Sequence, residues 1–214
     1  TIYSNKEFVL VLGKYVQSVP GDKELCNVVN RDVYYEEIRK PENEIMYFTT
    51  QEFIYRFSTD LYYTSLMLPK FLRSRTLRKL IPKSAVEPVQ KLIGKFMPVN
   101  VENICQDVLI PASRAHQFFE WYDSKVGLYP LYNVPVKAPK QVSTFWPDTQ
   151  KFVDFGVGYG VMPKTNSPTA LHDLCRQIEK EMLRSGGRKL PYTDTHLSEE
   201  LFWKVVFGQK NKKI

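Results

Sequence analysis

Several features are scarce or absent in this chain of 214 residues, and each absence removes a class of protein. No apolar run approaches the roughly 18 residues that a membrane-spanning helix needs. The opening TIYSNKEFVLVLG has neither the basic flank nor the small-residue cleavage site of a secretory leader. Neither a spanning segment nor a signal peptide is therefore expected. The three cysteines, Cys26, Cys105 and Cys175, are odd in number, widely spaced and free of any CxxC pattern. That excludes a disulfide scaffold and reads as reduced thiols in an intracellular, reducing compartment. The three histidines, His116, His172 and His196, form no HExxH pair, so no metal site is expected. Only ten glycines are present, with no GxGxxG and no glycine-rich turn ahead of a helix, which leaves nothing to cradle a dinucleotide. The first residue is Thr1 rather than methionine, the expectation for a processed or truncated polypeptide.

What remains is a folded composition: 43% hydrophobic, 25% charged, enough chain for one domain or a domain and a half. The net charge of +7 is concentrated. Between Lys70 and Lys95 eight bases stand against the single acid Glu87, a surplus equal to that of the whole chain. Leu72, Leu77, Leu80, Ile81, Leu92 and Ile93 are interleaved with them, which gives a basic amphipathic segment. Such a segment suits a solvated helical face, an acidic protein partner or an anionic membrane surface to which the chain attaches peripherally. No RRM signature, finger spacing or GxxG clamp points to a specific nucleic acid.

Along the chain, residues 7–16 (EFVLVLGKYV) predict a strand, and Thr49 or Thr50 predicts a helix N-cap. From residue 104 the order is clearer. NICQDVLIP predicts a strand, PASRAHQFFEWYDSKVG an amphipathic helix stopped at Gly127, and LYPLYNVPV a strand. KFVDFGVGYG predicts a strand with Phe152, Asp154 and Gly156 on one face and Val153, Phe155 and Val157 on the other. PTALHDLCRQIEKEMLRSGG predicts a helix, RKLPYTD a strand, and SEELFWKVVFG a helix capped by Ser198. The sequence thus reads as an α+β protein. Residues 101–207 are expected to form a ferredoxin-like βαββαβ antiparallel sheet with its helices on one face. Residues 1–100 would precede it as a strand and short basic helices, and residues 208–214 would form a frayed basic tail.

Four segments in register carry a family resemblance: TTQEFIYRFSTD (49–60), QDVLIPASRAHQFFEWYDSKVGLYPLYNVPV (106–136), FVDFGVGYG (152–160) and GGRKLPYTDTHLSEELFW (186–203). The chain resembles the C-terminal half of the FAD-linked oxidoreductases related to delta-24 sterol reductase, the Diminuto type, within the vanillyl-alcohol-oxidase superfamily. The resemblance implies a cap or substrate domain that roofs a flavin. It also implies hydride transfer between FAD and an apolar, sterol-like substrate, with FAD held by a separate FAD-binding half in cis or in trans. Two departures stand out: Ser58 occupies a position where the family has an acid, and Leu131-Tyr132-Asn133-Val134-Pro135 replaces a Trp-Leu-Cys-Pro pattern.

Reduction of a double bond needs a proton donor opposite the hydride, and buried Tyr or Asp groups on the sheet suit that role. Tyr192, Asp194 and Tyr129 are the catalytic candidates. Tyr132, Asn133, Asp154 and Tyr159 are candidates for lining the substrate, and Arg56 and Asp60 join them on the resemblance alone. Each tyrosine reads equally as a core or rim residue with a satisfied hydroxyl, Asp154 as a structural hydrogen-bond acceptor, and Arg56 with Asp60 as an i,i+4 ion pair. A second reading, from another class, is a non-catalytic interaction subunit of a larger assembly derived from such a cap, using the basic segment. A third is a peripheral lipid-binding module.

Overall fold

The computed structural model describes residues 1–27, 34–56, 104–137, 151–157 and 168–207. The chain divides into two compact units, one of Thr1 and 8–101, the other of 2–7 and 102–214. The second unit is thus discontinuous, unlike the simple division near residue 100 expected from sequence. Its short N-terminal piece is strand β1 (Ile2–Ser4), in which Ile2 N–H donates to Leu131 O at 2.9 Å and Leu131 N–H returns a bond at 2.7 Å. β1 pairs with β2 (Glu7–Phe8) in a two-stranded sheet.

In the first unit, the strand expected over residues 7–16 stops at Phe8, and 9–16 run as irregular chain. Alternating apolar residues make a strand only where a neighbour supplies ladder bonds and covers one face. Here Leu10, Leu12 and Tyr15 are 67%, 85% and 89% exposed. Helix α1 (Tyr34–Glu37) is followed by a 3-10 turn at Pro41–Asn43, and the buried Glu37 carboxylate accepts from Lys40 Nζ at 2.7 Å and Asn43 Nδ2 at 2.8 Å. Helix α2 (Thr50–Ile54) starts where a cap is expected: the Thr49 hydroxyl accepts from Glu52 N–H at 3.1 Å. Asp60, Tyr159, the basic segment 70–95 and the tail 208–214 lie outside the described residues.

The second unit holds a four-stranded antiparallel sheet in the order β4-β5-β3-β6, built from β3 (Gln106–Pro111), β4 (Tyr132–Lys137), β5 (Lys151–Val157) and β6 (Arg188–Lys189). Helix α3 (Ala115–Lys125) joins β3 to β4, α4 (Pro168–Arg184) joins β5 to β6, and α5 (Glu199–Phe207) follows. The result is a mixed α+β protein. β6 is only two residues long, shorter than RKLPYTD suggested, because Pro191 offers no N–H to extend the ladder beyond the single Leu190 N–H to Asp107 O bond at 3.3 Å.

Helix ends follow local chemistry. Gly127 at φ 59° closes α3 by donating to Tyr122 O at 2.9 Å, and Gly186 at φ 69° closes α4. Gly187 then lets the turn press onto β3, since a Cβ there would lie 2.6 Å from Leu109 O. The core lies between the sheet and the helices. Val108, Ile110, Phe155 and Val157 meet Phe118 and Tyr122 of α3 and Leu171, Cys175, Ile178 and Met182 of α4, with Phe118 and Phe155 ring centroids 5.0 Å apart. The buried stripe of α4 is Leu171-Cys175-Ile178-Met182, with Leu174 and Leu183 only half buried beside it.

Candidate functional site

Antiparallel register decides which side chains share a face, because residues directly opposite point the same way. One row across the sheet is Val134, Asp154, Leu109 and Arg188, and the next is Tyr132, Gly156 and Asp107. Both rows are on the face turned away from the Val108-Phe155 core, here termed the distal face. Asp107 and Asp154 are therefore diagonal neighbours on adjacent strands, with Gly156 placing no side chain between Asp107 and Tyr132.

Both carboxyls are buried, Asp107 at 1% exposure and Asp154 at 8%. Asp154 Oδ1 is fully enclosed and has no hydrogen-bond partner. Burial first, then the charge of Asp107, push the Asp154 carboxyl up to about 7, against a smaller downward pull from Lys189. Burial first, then the charges of Asp107 and Asp154, raise the Tyr192 phenol above its ordinary value. The Tyr192 ring is 70% exposed, so this residue stands between solvent and the buried acids.

The segment that carries Tyr192 is fixed by buried polar side chains. Gln106 Nε2 donates to Asp194 O at 2.8 Å, Asp107 N–H to Thr193 Oγ1 at 3.4 Å, and Glu179 accepts from His196 N–H with both oxygens at 3.0 Å. Behind them on the core face, the buried Lys189 ammonium donates to Gln106 Oε1. Burial lowers Lys189 to about 8 in spite of the attraction of Glu179 and Asp107.

The candidates from sequence are thus distributed. Tyr192, Asp154 and Tyr132 share the distal face or its rim. Asp194 is exposed and contributes its carbonyl to Gln106 rather than its carboxylate to the cluster. Tyr129 lies beyond α3, where its hydroxyl donates to Asp123 Oδ1 at 2.7 Å and its ring packs edge-on against Tyr122. Asn133 stands opposite Phe155, on the core side of β4. Arg56, in the first unit, donates to Phe53 O at 2.6 Å and stacks over the Phe53 ring at 3.9 Å and the Tyr34 ring at 5.4 Å. Sequence reasoning missed Asp107, which stands beside Gln106 at the start of an apolar strand. Its relation to Asp154 emerges only from the register.

A flavin dinucleotide needs a turn of backbone N–H groups at a helix start. The described glycines do not fit that need. Gly127 and Gly186 end helices, Gly187 is pressed on Leu109, and Gly13 and Gly21 have nothing within 4 Å of a Cβ position. Among the described residues no three His, Cys, Asp or Glu side chains are grouped to hold a metal ion, and no helix is long and apolar enough to cross a membrane. None of the three cysteines is in a disulfide, Cys26 and Cys175 being buried and Cys105 half-buried.

The second unit is therefore an α+β layer with a buried acid pair on one face of its sheet. Among curated proteins the chain is similar to the Delta(24)-sterol reductases, at 25% identity to that of Homo sapiens and 26% to that of Rattus norvegicus. Each of these matches covers 52% of this chain and 22% of the relative. It is 21% identical to the Delta(24)-sterol reductase of Arabidopsis thaliana, over 97% of this chain and 42% of the relative. The chain spans less than half the length of the curated relatives it matches. No family model and no solved structure matches.

Proposed function

We propose that this chain is the substrate-facing part, the cap, of an FAD-type oxidoreductase acting on an apolar, sterol-like compound, with the flavin held by a separate FAD-binding half in cis or in trans. The distant sterol reductase relatives support the class of reaction. The observation that carries the reading is the convergence of Asp107, Asp154 and Tyr192 on the distal face of the sheet. The strand order, with two helical crossovers, supports a ferredoxin-like cap with its helices on one face.

The chain's own contribution would be of two kinds. Tyr132 and Val134, both half-buried, would present an apolar rim, and Tyr192 with the acid pair would hold a proton beside it. The redox step belongs to the flavin.

The test begins with the absorption spectrum of natively purified material and the mass of every polypeptide in it. A flavin spectrum, together with turnover of a Δ24-unsaturated sterol that falls at least tenfold in Tyr192→Phe, is the expected result. Native material with neither flavin nor turnover would overturn the reading. The non-catalytic subunit then follows, favoured by the absence of a dinucleotide cradle among the described residues and by the exposed apolar run from Phe8 to Val16.

A further inference from the structure

We propose that Asp107 is a positioning residue that holds its buried neighbour Asp154 as a neutral acid and hydrogen-bond donor on the distal face. This rests on the reading of that face as the substrate side, and its test needs no turnover.

Three geometric observations carry it. Asp107 and Asp154 are diagonal neighbours on one face of adjacent strands, both more than nine-tenths buried. Two buried carboxylates at that spacing repel, so one of them keeps its proton. The unpartnered oxygen marks which. Asp154 Oδ1 is enclosed and receives no hydrogen bond. An enclosed carboxylate oxygen without a donor is costly, whereas a carboxyl O–H at that place needs only an acceptor, which a ligand oxygen or a water molecule supplies. The apolar row-mates Val134 and Leu109 favour the neutral form as well.

Two cations oppose this arrangement. Lys189 on β6 pulls the Asp154 carboxyl down, and Arg188 occupies the same cross-strand row one strand beyond Leu109. From β3 the facing charge is Asp107, from β4 there is none, and from the segment after β6 the facing group is the Tyr192 phenol.

The experiment is an infrared titration of the full chain with aspartate carboxyls labelled by carbon-13, in wild type, Asp107→Asn, Asp154→Asn and Lys189→Met. In wild type one protonated carboxyl should persist to near neutral pH, and its signal should be absent in Asp154→Asn. In Asp107→Asn the midpoint should fall by about one unit, and in Lys189→Met it should rise, the two charges acting with opposite sign. A merely structural loosening would move both variants toward the ordinary carboxylate range. A wild-type midpoint in that range, a signal that survives in Asp154→Asn, or an unchanged midpoint in Asp107→Asn would overturn the proposal. Should Lys189→Met fail to fold, the Asp107→Asn midpoint decides alone. Presence of flavin and sterol turnover bears on the cap reading independently of these midpoints.

Discussion

The two faces of the four-stranded sheet are both buried at the centre, and they are buried in different ways. On the core face Val108, Ile110, Phe155 and Val157 meet aromatic and aliphatic side chains of α3 and α4, and the buried Lys189 and Gln106 at its edge are hydrogen-bonded to each other. On the distal face the same two strands bury Asp107 and Asp154. The first arrangement stabilises the fold, and the second is tolerated by it. Buried acids are costly unless they are paired, bonded or neutral, so the distal face is where the sequence departs from what folding alone requires.

That contrast is broken most severely from the core side. Phe155→Ala removes a ring 2% exposed and packed 5.0 Å from Phe118, and should cost about 3–5 kcal/mol in denaturant unfolding. Gly187→Ala comes next. Its Cβ would meet Leu109 O at 2.6 Å and Met182 O at 2.9 Å, both backbone atoms that yield little, so a loss of about 1–3 kcal/mol is expected. A loss under about 0.5 kcal/mol for Phe155→Ala would mean that the core face does not hold the unit together.

The core face was legible because both periodicities were strong. The alternation in KFVDFGV put Phe155 and Val157 on one side and Asp154 on the other, and the structure keeps that division. The stops at Gly127 and Gly186-Gly187 were equally legible, since the left-handed cap is a local property. What sequence could not supply was pairing. Residues 9–16 have the composition of a strand but no ladder, and Ile2, far from β4 in sequence, bonds to Leu131. The acid pair was half legible for the same reason. Asp154 stands out within an apolar strand, while Asp107 becomes its neighbour only through the register of β3 against β5. Tyr129 follows α3 as closely as it precedes β4, and its hydroxyl turns back to Asp123.

The distal face gives an effect of opposite sign. The Asp154 carboxyl is raised from 3.8 to about 7 on folding, so the folded state holds a proton that the unfolded chain releases. The associated stability is fully present below the unfolded value and is lost as pH rises through 7. Asp154→Asn mimics the protonated form at every pH. It should therefore leave stability near pH 4 unchanged and raise it by about 1–2 kcal/mol at pH 8, seen as a melting temperature that no longer falls between those limits. A variant less stable than wild type at pH 8 would show that the ionised carboxylate is a bonded, stabilising group, and the two faces would then differ only in composition.

The smallest effect concerns how the Tyr192 segment is held against the sheet. Ser198 Oγ accepts from Leu201 N–H at 3.4 Å, a long bond at the exposed start of α5, whereas Glu179 is 1% exposed and takes His196 N–H with both oxygens at 3.0 Å. If the buried side chains position the segment and the cap only begins the helix, Ser198→Ala should cost about 0.5 kcal/mol, the low end for caps, and leave the Asp154 midpoint where it was. Glu179→Gln offers the same N–H a single neutral oxygen and should disturb that midpoint, because the proximity of Tyr192 to Asp107 and Asp154 depends on where the segment lies. A midpoint that moves with Ser198→Ala but not with Glu179→Gln would place the anchoring in α5 rather than in the buried polar side chains.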